Sequence, residues 1–451
     1  MVHEARVVKP DLKAKYISFE KGEGCFLIDS QGKRYLDAAS GVGVVALGYG
    51  VAAFGAALKE QADALPYVHG MRFANSTVEK LAERVSHWTP EGMQSTFFCC
   101  GGSEAVESAL KIVRQYYLER GLPERHRFIG RWQSFHGNTL AAQSVGGHIL
   151  RRKAQLPLLT MWPHIVAPNC YRCPFSLAPE HCGIECAHEL ERVIRMEGAE
   201  SIAGFVAEPI VGAAGGAPVP PDDYFGIIRD ICNRYDVVFI VDEVITGWGR
   251  TGKRFGIEHW DVIPDVIVAA KGISSGYAPL GAVVLHDRIV DVFLSNSGHV
   301  EHNFTFAGNP LSCRAGLVAL ELMEQQAVVE NSALRGAQLL KRLETLRSFP
   351  FVGDIRGKGL LIGVEFVEDQ ATKKPFPAEF QVNQWVNRIA LELGLVVYPG
   401  GGTADGVTGD HILLMPPLVI SADETDLLAD RLTTTLQQFE TELRARKDKG
   451  I

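Results

Sequence analysis

Residues 237–271, VVFIVDEVITGWGRTGKRFGIEHWDVIPDVIVAAK, hold two apolar, β-branched runs, each followed by a charged residue: Val237–Val241 by Asp242 and Val266–Ala270 by Lys271. Runs this short and continuous read as strands buried on both faces, the kind that parallel sheets use. Charged groups at their carboxyl ends fall where open α/β sheets bind ligands. Further out, Ser95–Cys100, Phe128–Arg131, Ile202–Ala207 and Gly281–His286 have the same character and alternate with helical stretches, which predicts a parallel sheet wrapped by helices. Between the first two, Val106, Leu110, Val113 and Tyr117 keep helical spacing, and the helix is expected to start at Gly102 and Ser103.

The C-terminal third differs, with helices predicted over 315–324, 330–347 and 380–393, few strands, and a last helix opened by a capping box of Ser421 and Glu424. Leu428, Leu432, Leu436, Phe439 and Leu443 form a packing stripe along it. At 451 residues the chain exceeds the ~250–300 at which one core stops growing, so two lobes are expected. The boundaries read as 1–65 and 316–451 for a smaller α+β domain built from both termini, and 66–315 for the large one.

With 45 basic against 53 acidic side chains the net charge is −8, which disfavours a nucleic-acid surface. No run of eighteen apolar residues occurs and the start, MVHEARVVKPDLKAKYIS, lacks a signal core, so a cytoplasmic protein with no membrane partner is expected. Nine cysteines, an odd number, suit reduced thiols. Cys170, Cys173, Cys182 and Cys186, with His181 and His188 beside them, admit a zinc site, but the second spacing is irregular for one. An ordered loop of thiols is the reading adopted.

Three short motifs compete for the function. Gly247, Gly249 and Gly252 match a dinucleotide fingerprint, yet no acid stands about 20 residues on to hold a ribose. The same stretch nearly spells a phosphate loop, with Arg254 in the hydroxyl position. Gly272, Ser274 and Gly276 match a hydrolase elbow, with Asp287 or Asp291 and His299, His302 or His411 downstream. Lys271, at the strand end just before that elbow, favours amine chemistry instead.

Four segments in order supply what a pyridoxal phosphate site needs. Gly102 and Ser103 offer a helix N-terminus for a phosphate. Phe135 offers a ring to lie against a pyridine. Asp242 offers a carboxylate to keep the pyridine nitrogen protonated. Lys271, 29 residues later, offers the amine that condenses with the aldehyde.

Here the chain resembles the class III aminotransferases of pyridoxal phosphate fold type I over nearly its whole length. The matching segments are YLDAASGVGVVALGYG, GGSEAVESALK, FHGNT, AEPIVGAAGG, DEVITGWGRTGKRFG, PDVIVAAKGISSGYAPLGAV, NFTFAGNPLSCRAG and LLMPPLVIS. The resemblance implies a seven-stranded, mostly parallel sheet and a homodimer or dimer of dimers. By carry-over Lys271 is the Schiff-base lysine, Asp242 the partner of the pyridine nitrogen, Phe135 the stacking ring with His136 beside it, and Val244 the residue on the opposite face. Gly102 and Ser103 hold the phosphate, Thr305 completes that shell in the other subunit, and Glu208 is an acid near the cofactor.

Two departures bear on substrate. Relatives that use 2-oxoglutarate commonly have an arginine where Leu413 stands and a gating Glu where Ala213 stands. Losing both charges together is coherent, since either one alone would be costly in a closed site. A 2-oxoglutarate specialist is therefore not expected; the GAAGG stretch at 212–216 resembles that of the pyruvate-using amine and ω-amino-acid transaminases, which implies pyruvate as acceptor and an amine or ω-amino acid as donor. The stretch GTADGVTGDH has no arginine to bind a carboxylate, which leaves His411, Arg72 or backbone groups. Gly43, where relatives can carry an aromatic, suggests a roomier pocket. Epimerases, racemases and decarboxylases share this constellation and are the alternatives within the class; a hydrolase on Ser274 is the alternative outside it.

Overall fold

The computed structural model describes residues 7–448. Its centre is a seven-stranded sheet in the order Ser95–Cys99, Gly281–Leu285, Val266–Ala269, Val238–Asp242, Ile202–Ala207, Arg127–Arg131, His164–Ile165. Gly281–Leu285 runs antiparallel to both neighbours and the other pairings are parallel. All six predicted strands are present, with ends moved by no more than a residue or two. The seventh, His164–Ile165, has two residues, too few for a periodic signal.

The strands are sequestered as their composition requires. Every residue of Ile202–Ala207, Val238–Asp242 and Val266–Ala269 is buried. Burying Asp242 with its apolar neighbours requires that its carboxylate be hydrogen-bonded. The helix Gly102–Glu119 covers one face of the sheet and buries Val106, Leu110, Val113 and Tyr117, the predicted stripe.

Two four-stranded sheets flank the large one. In the first, Phe19–Glu23, Phe26–Asp29 and Arg34–Asp37 form an antiparallel meander whose last strand pairs in parallel with Leu395–Val396. The N-terminal segment is thus joined by backbone hydrogen bonds to the C-terminal third. The second contains Val352–Lys358, Leu361–Phe366, Asp410–Leu414 and Tyr398–Gly401, all antiparallel. The C-terminal helices span Pro310–Gln325, Val328–Leu343, Val382–Glu392 and Ala422–Asp448. The predicted 330–347 helix gives way to a 3-10 turn, Glu344–Ser348. The capping box forms: Ser421 N–H donates to Glu424 Oε2 at 2.9 Å and Glu424 N–H to Ser421 Oγ at 3.1 Å. The stripe from Leu428 to Leu443 is buried. No helix among the described residues is long and apolar enough to cross a membrane.

Candidate active site

The carboxyl ends of the parallel strands open into a cavity of about 420 Å³. Its wall includes Gly102, Ser103, Phe135, His136, Glu208, Asp242, Val244 and Lys271. Residues spread over 170 positions of sequence therefore meet in one place, because successive strands of a parallel sheet deliver their ends to one edge. Thr305 is the exception. It is exposed, its carbonyl accepts a hydrogen bond from the Tyr67 hydroxyl at 3.0 Å, and it lies outside the cavity of its own chain.

At the strand end, Asp242 is 3% exposed. Its Oδ2 lies 2.7 Å from His136 Nδ1 and its Oδ1 accepts from the Val244 N–H at 3.0 Å. Behind His136 stands Glu208, with Oε2 3.9 Å from His136 Nε2 and Oε1 accepting from the Phe135 N–H at 3.1 Å. Arg131, fully buried, donates to the Glu208 carbonyl and approaches its carboxylate at 3.7 Å. Burial on its own would lower the pKa of His136, but the carboxylates of Glu208 and Asp242 outweigh it and hold it above its ordinary value. Burial pushes Glu208 up, against the pull of His136 and Arg131. The four residues form one buried row, acid alternating with base, in which the His136 Nδ1 contact and the Val244 N–H orient the Asp242 carboxylate.

Lys271 follows the strand Val266–Ala269 in a left-handed conformation with φ of 50°, and it begins a 3-10 turn. Burial lowers its pKa to about 8; Asp242 resists the shift, and Arg250 and Arg151 reinforce it. A lysine so placed is an available nucleophile near neutral pH.

The opposite wall is the start of the helix Gly102–Glu119. The first intrahelical bond of its N-terminus is from Ala105 N–H to the Gly101 carbonyl at 3.0 Å, which leaves earlier N–H groups for a ligand. Backbone comes close here. A Cβ on Gly102 would lie 3.1 Å from Val244 Cγ1, and Gly137, at φ of 136°, faces Ser103 so closely that a Cβ would be 2.6 Å from its Oγ. Ser103 Oγ accepts from the Asn138 N–H at 3.1 Å.

The competing motifs resolve differently. The GWGRTG glycines shape turns: Gly249 and Gly252 have φ of 92° and 84° and pack on the side chains of Leu418 and Ala333 respectively. Ser274 Oγ donates to the Ala278 carbonyl at 2.6 Å. Of the histidines offered to it, His302 pairs with Ser108 at 2.8 Å, His299 is exposed and His411 is buried outside the cavity. Arg72 lines a separate cavity with Phe73 and Asn75. Gly43 is not part of the wall, where its neighbour Val44 stands; its φ of 66° and the Met415 sulfur, 3.3 Å from where a Cβ would be, account for the glycine. The four clustered cysteines line a small apolar cavity of their own, and no set of three His, Cys, Asp or Glu among the described residues is disposed as metal ligands.

Sequence patterns do not single out Arg131 as a site residue, although an arginine ending a buried strand is itself a signal, since such a charge needs a partner. Cys100 and the run Ala278–Leu280, which also line the cavity, give no chemical signal in the sequence.

An amine of lowered pKa, a fixed carboxylate and a helix N-terminus around one cavity define a pyridoxal phosphate enzyme of fold type I. The class-III aminotransferase profile matches residues 8–436. The chain is 38% identical to the uncharacterized aminotransferase YodT of Bacillus subtilis over 97% of this chain and 99% of that one. It is 36% identical to the putrescine–pyruvate aminotransferase of Pseudomonas aeruginosa, over 93% and 90% of the two chains. Among solved structures, a transaminase from the marine bacterium Virgibacillus superposes with a TM-score of 0.90 at 35% identity, covering 96% of this chain and 95% of that one. A PLP-bound amine transaminase from an uncultivated Pseudomonas species gives 0.90 at 33% identity, covering 97% and 98%. The chain belongs to the class-III aminotransferase family and is a pyridoxal-phosphate-dependent transaminase.

Proposed function

We propose that the chain moves an amino group from an amine or ω-amino acid to pyruvate by a ping-pong sequence, as a cytoplasmic homodimer or dimer of dimers. The observation behind this reading is the apolar cavity wall of Val44, Ile210, Val244, Ile245 and Leu280, taken with the buried, uncharged Ala213 and Leu413 at the two positions where the resemblance puts a charged pair in relatives that use 2-oxoglutarate. Such a wall suits an apolar donor and gives a second carboxylate no counterion. The similarity to the putrescine–pyruvate aminotransferase supports pyruvate as acceptor.

In this reading the large domain spans 66–315, and segments 1–65 and 316–451 make the small one; the pairing of Arg34–Asp37 with Leu395–Val396 supports that division. The N–H groups at Gly102 and Ser103, with the Ser103 hydroxyl, would hold the phosphate, and Phe135 and Val244 would flank the ring. Thr305 would complete the phosphate shell of a partner subunit, which its exposed place outside its own cavity supports.

Bound pyridoxal phosphate supplies an aldehyde that captures amines and a ring that draws electrons from the substrate carbon. Asp242, oriented by His136 and the Val244 N–H, would keep the ring nitrogen protonated. Glu208 and Arg131 would keep His136 in place. Lys271, displaced by the substrate amine, would take the proton from the substrate carbon and return it one step along, a single base serving both halves of the reaction.

With its pKa lowered to about 8, Lys271 is half neutral there rather than at the usual lysine value of about 10.4. The rate at which apoenzyme takes up pyridoxal phosphate, followed by absorbance, should therefore rise with pH to a midpoint near 8; a midpoint near 10 would contradict this. The function itself is tested by incubating holoenzyme with a panel of amines and ω-amino acids and pyruvate. Alanine should form in step with donor consumption. Formation of glutamate from 2-oxoglutarate but no alanine from pyruvate would refute the acceptor, and loss of substrate chirality without alanine would indicate epimerisation.

A further inference from the structure

Leu413 leaves the site without a carboxylate-binding arginine in its own strand, but the register of that strand shows a way in for another. Leu413 stands directly opposite Tyr398 in the antiparallel pair, so both side chains lie on one face of the sheet. The Tyr398 hydroxyl accepts a hydrogen bond from Arg151 Nη2 at 2.9 Å. Arg151 comes from a different element, the short helix Ile149–Arg152. Its guanidinium carbon lies 4.4 Å from the centre of the Phe135 ring, and that ring lines the Lys271 cavity. One guanidinium thus touches both the cavity wall and the residue across from Leu413.

The neighbouring cations are committed elsewhere. Arg152, 4% exposed, packs over Trp132 at 5.4 Å and lies 3.4 Å from His164 Nε2. Arg250, 2% exposed, donates to the carbonyls of Leu360 and Pro416. Arg151 is exposed, and no carboxylate among the described residues lies within ion-pair distance of it. It is close enough to Lys271 to contribute, after burial and Arg250, to lowering that residue's pKa. A planar fork of five donors with one engaged retains the geometry that grips a carboxylate at two points.

We infer that Arg151 binds the carboxylate of a monocarboxylic 2-oxo acid, doing from the helix Ile149–Arg152 what relatives do with an arginine at the position of Leu413. The inference rests on the transaminase reading with a 2-oxo acid acceptor. A single available guanidinium matches a single carboxylate, so the acceptor class is the 2-oxo monocarboxylates and not the dicarboxylates.

The test uses holoenzyme as wild type, Arg151→Met, Arg151→Lys and Tyr398→Phe. Two quantities are measured: kcat/KM for pyruvate against butanal, which has no carboxylate, and the Kd of unreactive propionate from its perturbation of the cofactor spectrum. Arg151→Met should lower kcat/KM for pyruvate by about 10- to 100-fold and weaken propionate similarly, the usual loss when a charged hydrogen-bond partner is removed. Butanal should lose at least several-fold less than pyruvate, since whatever the change does through Phe135 or Lys271 falls on both acceptors and only pyruvate meets the guanidinium. Arg151→Lys should restore part of the loss, and Tyr398→Phe should give a smaller loss in the same direction. Equal losses on pyruvate and butanal, or unchanged pyruvate and propionate, would overturn the assignment. Wild-type enzyme that ignores pyruvate yet binds propionate through Arg151 would refute the acceptor proposed above and support the carboxylate site.

Discussion

Replacing Lys271 with alanine is expected to lower transamination on the order of 10⁴-fold or more while leaving the fold intact, since the residue serves as both nucleophile and proton carrier. The folded state holds this lysine at a cost: burial lowers its pKa to about 8, so below that pH the protein keeps an ammonium in an unfavourable place. Removing it relieves that cost, and the apo variant should melt no lower than wild-type apoenzyme. The unfolded chain binds more protons than the native one between about pH 8 and the free-lysine value, so wild-type apoenzyme should gain stability relative to Lys271→Ala as pH rises through that window. Activity is measured as alanine formed from pyruvate, and stability by thermal melts of both apoproteins.

Asp242→Asn is expected to cost about 10²- to 10⁴-fold in kcat with a much smaller change in KM, because the carboxylate acts on the ring nitrogen and not on the substrate. The amide preserves shape and can still accept from the Val244 N–H, which lies 3.0 Å from the native carboxylate. It cannot hold a proton on the pyridine nitrogen. It also removes one of the two carboxylates that raise the pKa of His136, so the histidine should titrate lower in the variant, which NMR of the ring would detect. An Asp242→Asn enzyme within a few-fold of wild type in kcat would mean that another group protonates the ring.

Much of this site is legible in the sequence because each of its parts ends a strand or begins a helix. Val238–Asp242 and Val266–Ala269 announce themselves as buried by unbroken apolar content, and a charge following such a run has few reasons to be there except chemistry. Gly102 and Ser103 are equally visible, since a helix with a clear apolar stripe must start somewhere. What stays hidden depends on long-range register. That Tyr398 lies across from Leu413, and that Arg151 reaches Tyr398, follows from pairing strands whose order no local pattern encodes. Arg131 escapes notice because its partner, Glu208, lies 77 residues away. Gly43 reads as pocket space when backbone geometry and Met415 explain it, a distinction composition cannot make. Helices blur at their ends for the usual reason, that a 3-10 turn such as Glu344–Ser348 continues the helical pattern of its neighbour.

The central claim is that Lys271 is the residue bearing the cofactor, and peptide mapping tests it most directly. Holoenzyme reduced with borohydride and digested should yield one peptide with the added mass of the reduced cofactor, and fragmentation should place it on Lys271. Label on any other lysine, or bound pyridoxal phosphate that borohydride attaches to no residue, would contradict the account.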